Sequence, residues 1–224
     1  MQVSKTMTSK ISTKSRLLST VAFLFLFATV GFSQQATKDC LAQRIIAFEK
    51  TGTVHVILQT LAQKYRVHVG FENIPEGMKP SVLNINVQDS TLRGILNEIT
   101  KADPRYEWEE SRGVVNVFPR NTKETLSLIL VKQFHMEDKN REDISQSVTS
   151  TPEVQTFLLN KGIRRYDIDE VSENPAPLPH FSLTLENVTL QEILNSTLIK
   201  SDSYYWVIYR YGKDNEYVTV NIGL

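Results

Sequence analysis

The sequence VQDSTLRGILN at residues 87–97 is repeated as LENVTLQEILN at residues 185–195, an offset of 98 residues. Both copies share the pattern Thr-Leu-x-x-Ile-Leu-Asn, and a Tyr-x-Trp triplet at 106–108 is matched at the same offset by another at 204–206. One offset aligns both matches, so no gap is needed between them. A match of this length predicts that the chain contains a duplicated structural unit.

Apolar periodicity predicts an alternation of strands and helices in the first copy. Ile57, Leu58 and Leu61 form one side of an amphipathic helix, and Ser90 or Thr91 is predicted to cap a second helix. The predicted elements are a strand at 44–48, a helix at 53–65, strands at 67–71 and 82–88, a helix at 92–99, and a hairpin of 106–110 with 114–118.

The second copy is predicted to repeat this order. Thr151, Pro152 and Glu153 are typical of a helix start, and Gly162 is typical of a helix end. Thr189 and Glu192 have the spacing of a capping box. The predicted elements are a strand at 126–134, a helix from 151 to 162, strands at 166–168 and 181–185, a helix from 189 to 198, and a hairpin of 204–209 with 217–222.

The order strand, helix, strand, strand, helix, strand, strand predicts an α+β fold in each unit. Two helices can bury their apolar sides between a two-stranded and a three-stranded sheet, which completes a small core. We therefore expect tandem α+β sandwiches at 44–120 and 121–224. Two packed domains are favoured over one continuous sheet.

The N-terminal segment has the layout of an export signal. Met1–Arg16 is polar and basic, and Leu17–Phe32 is an apolar run of about sixteen residues, which is short for a membrane span. The pattern predicts a signal peptide at 1–33 and a flexible lead-in at 34–43, and hence a periplasmic or secreted protein. The alternative is an inner-membrane protein anchored by an uncleaved leader, which would be its only membrane contact.

Charge and cysteine content exclude several classes of protein. Residues 34–224 carry 21 basic and 25 acidic side chains, a net charge of −4, which argues against nucleic-acid binding. Cys40 is the single cysteine, so no intrachain disulfide can form, and it is expected to be a free thiol or to pair with another chain. The four histidines have no metal-ligand spacing. We expect no catalytic, metal or cofactor site.

The first copy resembles the secretin/TonB short N-terminal domain family. The resemblance rests on the strand at 67–71 and on the strand that leads into the helix at 87–99; it is clearest over 44–120 and weaker over 124–224. Ile95 and Ile193 stand where the family often has alanine. The resemblance implies a docking domain of the cell envelope, with signalling or secretion partners and no enzymatic activity.

Aromatic residues near the C-terminus are the candidate interaction surface. Alternation on a strand places Tyr205 and Tyr209 on one face, which we expect to be exposed and to supply the anchors, with Tyr211 and Tyr217 nearby. The expected partner is another envelope protein or peptide, added as a strand to a sheet edge. Alternatives are a structural subunit of a secretion or pilus assembly that packs into a ring as a homo-oligomer, and an unrecognised periplasmic hydrolase.

Overall fold

The structure is a computed structural model that describes residues 40–74, 80–120, 125–166, 178–212 and 216–223. These residues belong to one compact unit, which spans Lys38–Leu224. The predicted leader at 1–33 lies outside the described residues, as does all but the end of the lead-in.

The first half of the chain follows the predicted order of elements. Thr53 caps the first helix by accepting a hydrogen bond from the Val56 amide, and Arg66 ends this helix in a left-handed conformation. The elements are β1 (Arg44–Gly52), α1 (Val54–Tyr65), β2 (His68–Glu72), β3 (Leu83–Thr91), α2 (Leu92–Ala102), β4 (Tyr106–Ser111) and β5 (Val114–Pro119).

The second half has the same order with one additional helix, which the sequence patterns did not predict. The elements are β6 (Leu130–Lys139), α3 (Ile144–Thr149), α4 (Pro152–Lys161), β7 (Arg164–Arg165), β8 (Phe181–Thr189), α5 (Leu190–Lys200), β9 (Tyr205–Tyr211) and β10 (Tyr217–Gly223).

Two predicted strands in the second half have different bounds in the structure. The segment Leu126–Leu128 is a short 3-10 helix, because the Leu126 and Ser127 amides both donate to the buried Glu72 carboxylate and the chain turns around it. The strand predicted at 166–168 is instead β7, two residues earlier, and residues 167 and 168 lie outside the described part of the chain.

Local details of the two repeated segments agree at the offset of 98 residues. Thr91 and Thr189 both cap their helices through the side-chain oxygen, and Thr189 completes the expected capping box with Glu192. Two residues before each cap, Asp89 (φ 45°) and Asn187 (φ 53°) adopt the left-handed conformation that Asp and Asn tolerate. The same backbone path therefore leads into both helices.

Side-chain contacts of the repeated motif also agree. The Trp108 indole donates to Asn97 Oδ1 at 3.1 Å, and the Trp206 indole donates to Asn195 Oδ1 at 2.7 Å. Leu92 and Leu190, the motif leucines, are both buried. The motif thus attaches each hairpin to the helix that precedes it.

One six-stranded sheet connects the two halves, in the order β4-β5-β2-β9-β10-β7. Its central joint is the parallel pairing of β2 with β9, in which Val69 lies opposite Tyr205 and Phe71 opposite Val207. The two smaller sheets, β1-β3 and β6-β8, are antiparallel pairs. The expectation of two packed domains is therefore corrected: each half contributes three strands to a continuous sheet, because the β2 edge of one half pairs with the β9 edge of the other.

The two halves place their helices on opposite faces of this shared sheet. Val69, Phe71 and Tyr205 belong to a core that contains the apolar sides of α1 and α2. Trp206 and Ile208 alternate with them and belong to a second core, which contains α3, α4 and α5. Both faces of the central strands are consequently buried, and the structure is an α+β fold with β1-β3 and β6-β8 as its outer layers.

A buried polar cluster crosses the joint at the end of β2. The Glu72 carboxylate accepts a hydrogen bond from the Arg210 guanidinium at 3.2 Å, and both side chains are at most 2% exposed. Asn73 forms two hydrogen bonds with the Arg210 backbone. Burial raises the pKa of Glu72, and the Arg210 charge and the two amide donors oppose this rise.

We predict that Gly70→Ala destabilises the protein by about 2 kcal/mol or more, in the range of severe overpacking. A Cβ atom at residue 70 would overlap the Trp206 indole ring, which lies over the joint. Gly223→Ala is the matched control, since a Cβ atom there meets nothing within 4 Å. Urea unfolding of both variants measures the difference; equal stabilities would contradict the close approach of β2 to β9.

Candidate functional site

The structure separates the four tyrosines that the sequence places in one interaction surface. Tyr205 is 3% exposed and packs in the first core, and a hydrogen bond of 2.9 Å joins its hydroxyl to His55 Nδ1. It cannot be an exposed anchor. The prediction failed because it assumed that one face of the hairpin is open, whereas helices of both halves cover the start of β9.

Tyr209 is half-buried and lies on a cavity of about 250 Å³. The His55 ring contacts both Tyr205 and Tyr209 edge-on, with ring centres 5.4 Å and 5.0 Å apart. Burial lowers the pKa of His55. The other lining residues all come from the first half and are Thr53, Val54, Phe71, Asn73, Ile74, Pro80, Ser81, Asp103, Arg105 and Tyr106.

The charged groups of this cavity are paired with one another. Arg105 donates to both carboxylate oxygens of Asp103 at 2.7 Å and 2.6 Å, and also to the Ser81 hydroxyl at 2.8 Å. Tyr106 accepts a hydrogen bond from the Ile74 amide, and burial raises its pKa to about 12. The cavity is therefore lined by a neutralised ion pair and by the Tyr106 phenol, which stays protonated at neutral pH.

Tyr211 and Tyr217 do lie together, and Tyr166 joins them. The three rings have centre-to-centre distances of 5.6 Å, 5.6 Å and 6.1 Å, and we call them the tyrosine cluster. The cluster lies on the sheet face opposite to Val218, whose side chain belongs to the second core. Tyr166 is 50% exposed.

The Tyr211 hydroxyl is the polar group that the cluster covers. Its oxygen is covered and has no hydrogen-bond partner within the described residues. Burial raises the pKa of Tyr211, and the neighbouring Tyr166 and Tyr217 raise it further. An unpaired covered hydroxyl costs free energy.

The tyrosine cluster borders β7, one of the two outer strands of the six-stranded sheet. Within the described ranges, β7 pairs with β10 on its inner side and with no strand on its outer side. On the other face of β7 lies an open groove of about 450 Å³. Its apolar lining is Leu158, Ile163 and the 80% exposed Leu159, and its polar lining is Thr149, Ser150, Gln155 and Arg165. The edge strand β7, the tyrosine cluster and this groove together form what we call the β7 surface.

The second outer strand, β4, has a different character. Its exposed and half-buried positions include Glu107, Glu109 and Glu110. Arg120 Nε lies 3.8 Å from the Glu107 carboxylate and offsets part of this charge, so the edge keeps a net negative charge. The exposed residues of β7, in contrast, are Arg164 and Arg165. The two open edges of the sheet thus carry opposite charge.

The sequence pattern groups Tyr211 with Tyr217 but indicates neither Tyr166 nor the groove. The contact of Tyr166 with the other two tyrosines depends on the pairing of β7 with β10, which extends over only two residue pairs in the described strands. No local pattern signals so short a strand. Leu159, an apolar residue on the exposed side of α4, was the available signal for the groove.

Three further findings concern metal sites, membrane-spanning helices and relatives of the chain. Among the described residues there is no group of three or more His, Cys, Asp or Glu side chains that could hold a metal ion. No helix in these ranges is long and apolar enough to cross a membrane. No family model and no curated protein matches the chain.

We predict that His55 and His68 contribute a fall in the free energy of unfolding as the pH decreases from 7 through 6. Burial lowers the pKa of His55 and of His68 below the ordinary value near 6.5, so the unfolded chain binds protons in this range that the folded chain does not. The slope per histidine is at most about 1.4 kcal/mol per pH unit. Urea unfolding at pH 5 to 7.5 measures it.

The variants His55→Gln and His135→Gln distinguish the contribution of the buried His55 to the pH dependence from that of an exposed histidine. His55→Gln should make the pH dependence shallower than in the wild type and shallower than in His135→Gln, which substitutes a side chain that is 58% exposed. An identical slope in wild type and His55→Gln would show that His55 is not buried as described.

Proposed function

We propose that the chain is an exported, non-enzymatic protein-interaction module of the cell envelope, which receives a partner at the β7 surface. The observation that carries this proposal is an open sheet edge flanked by the partly exposed tyrosine cluster on one face and, on the other, by a groove with both apolar and polar side chains. Open edges pair with extended segments through backbone hydrogen bonds, and side-chain pockets on either face provide specificity.

The chemistry of the β7 surface suits protein contacts. Tyrosine combines a large apolar ring with a polar hydroxyl and loses little conformational entropy on binding, so it is enriched where proteins meet. Arg164 and Arg165 add two positive charges at the strand itself. An acidic extended segment with apolar or aromatic side chains is the partner that this combination favours.

The cavity beside His55 is a poor candidate for catalysis. A nucleophile is activated by a neighbouring base that is itself oriented by a third group. The hydrogen bond of His55 goes to the phenol of Tyr205, and the nearby carboxylate of Asp103 is engaged by Arg105. A lining of this kind supports enclosure of a side chain rather than proton transfer, and we propose no catalytic, metal or cofactor role for it.

The architecture of each half supports a module of the secretin/TonB short N-terminal type. Each half has two helices or helix groups between a two-stranded sheet and three strands of the shared sheet, in the order that the resemblance implies. The apolar segment before residue 34 supports export to the periplasm or beyond. The proposal therefore places the chain in the envelope, with docking as its role.

Photo-crosslinking in cells tests this proposal. A photoreactive phenylalanine analogue at residue 166, which is 50% exposed beside β7, should give a specific cross-linked product. The same analogue at residue 46, which is 80% exposed on β1 in a different sheet, is the matched control and should give none. Mass spectrometry identifies the partner.

Substitutions within the tyrosine cluster test whether its side chains contribute to binding of the partner. Tyr211→Ser combined with Tyr217→Ser should reduce the product at residue 166 by about tenfold or more, since tyrosine is enriched among hot-spot residues, whose truncation costs about 2 kcal/mol or more. The melting temperature should change little, because neither side chain belongs to a described core. No product at residue 166, or equal products at residues 166 and 46, would refute docking at the β7 surface.

A further inference from the structure

The two strands at the open edges of the sheet occupy the same positions in their halves as the two strands that pair at the central joint. In the first half, β2 follows the first helix and β4 follows the second; in the second half, β7 follows α4 and β9 follows α5. The central joint pairs β2 of the first half with β9 of the second. The edges that remain without an outer neighbour, within the described strands, are β7, the counterpart of β2, and β4, the counterpart of β9.

Strand directions permit the same joint between two molecules. β4 is antiparallel to β5, β5 and β2 and β9 are mutually parallel, β9 is antiparallel to β10, and β10 is parallel to β7. It follows that β4 and β7 run in the same direction. A second copy shifted sideways by one sheet width would therefore bring its β4 against β7 in parallel, as β9 lies against β2.

The charges of the two edges are complementary. Glu107, Glu109 and Glu110 lie on β4, and Arg164 and Arg165 lie on β7. When two copies meet through the same edge, β4 against β4 or β7 against β7, their like charges oppose pairing. Between two copies they favour β4 against β7 and no other combination of the two edges.

The tyrosine cluster lies where a second copy would cover it. At the central joint, α5 of the second half contacts β2 of the first half. Its counterpart in the first half is α2, which packs on the other face of the sheet. In a second copy that docks in the same way, α2 would lie over β7 on the face that carries Tyr166 and Tyr217.

We propose that the partner of the β7 surface is the β4 edge of a second copy of this chain, added in parallel and head to tail. This inference rests on the proposed function, because it names the occupant of the same surface. The contact is heterologous, since each copy uses a different edge, so a bound pair still presents one free β4 and one free β7. Association therefore continues beyond the dimer.

Sedimentation velocity of the purified chain over a range of concentrations tests the inference. At low salt, the weight-average sedimentation coefficient should rise with concentration past the value for a dimer, and high salt should reduce this rise because the edges attract through exposed charges. A chain that remains monomeric at all concentrations in low salt would overturn the inference.

Reversing the charges on β4 or on β7 tests whether these two edges mediate the association. The variant Glu107→Lys with Glu109→Lys makes both edges basic, and the variant Arg164→Glu with Arg165→Glu makes both acidic. Each variant alone should associate at least about tenfold more weakly than the wild type. An equimolar mixture should associate again, because each reversed edge then meets an opposite charge on the other variant.

The mixture also controls for misfolding, since unfolded variants would not recover association when combined. Glu137→Lys, at a 79% exposed side chain on β6, is the matched control and should associate as the wild type does. Association that is unchanged in both edge variants, or variants that stay monomeric when mixed, would overturn self-pairing. If the purified chain is monomeric while residue 166 cross-links to a different protein in cells, self-pairing is refuted and docking at the β7 surface is supported.

Discussion

The parallel contact between β2 and β9 is the constraint on which the rest of the structure depends. It requires a glycine at position 70, because the Trp206 indole occupies the space that any side chain would need. It also encloses Glu72 and Arg210, whose burial is tolerable only while each is the other's partner. The Glu72 carboxylate in turn accepts the Leu126 and Ser127 amides, so the joint also fixes where the second half begins.

The joint determines which surfaces remain available for function. With helices of the two halves on opposite faces of one sheet, the central strands are covered on both sides and Tyr205 becomes a core residue. The outer strands are covered by their own half alone, which leaves the tyrosine cluster beside β7 partly exposed. The position of the candidate site is therefore a consequence of how the halves join, and not of a local sequence motif.

Sequence patterns predicted the elements well and their assembly poorly. The capped helix after Thr189 and the order of elements in the first half follow from local capping and periodicity, which are encoded within a few residues. The pairing of β2 with β9 joins residues about 136 apart, as in Val69 and Tyr205, and hydrophobic alternation does not specify a partner strand. Tyr211 and Tyr217 lie in one hairpin, so the local pattern could group them. Tyr166 joins them only through the pairing of β7 with β10, which no local pattern specifies.

Native-state hydrogen exchange of the amides in β2 and β9 tests the shared sheet most directly. If the two halves form one cooperative structure, the protected amides of both strands should exchange with the same free energy of opening, equal to that of global unfolding. Denaturant should affect both strands with the same slope. Two distinct opening energies, with one half exchanging while the other stays protected, would contradict a sheet that runs through both.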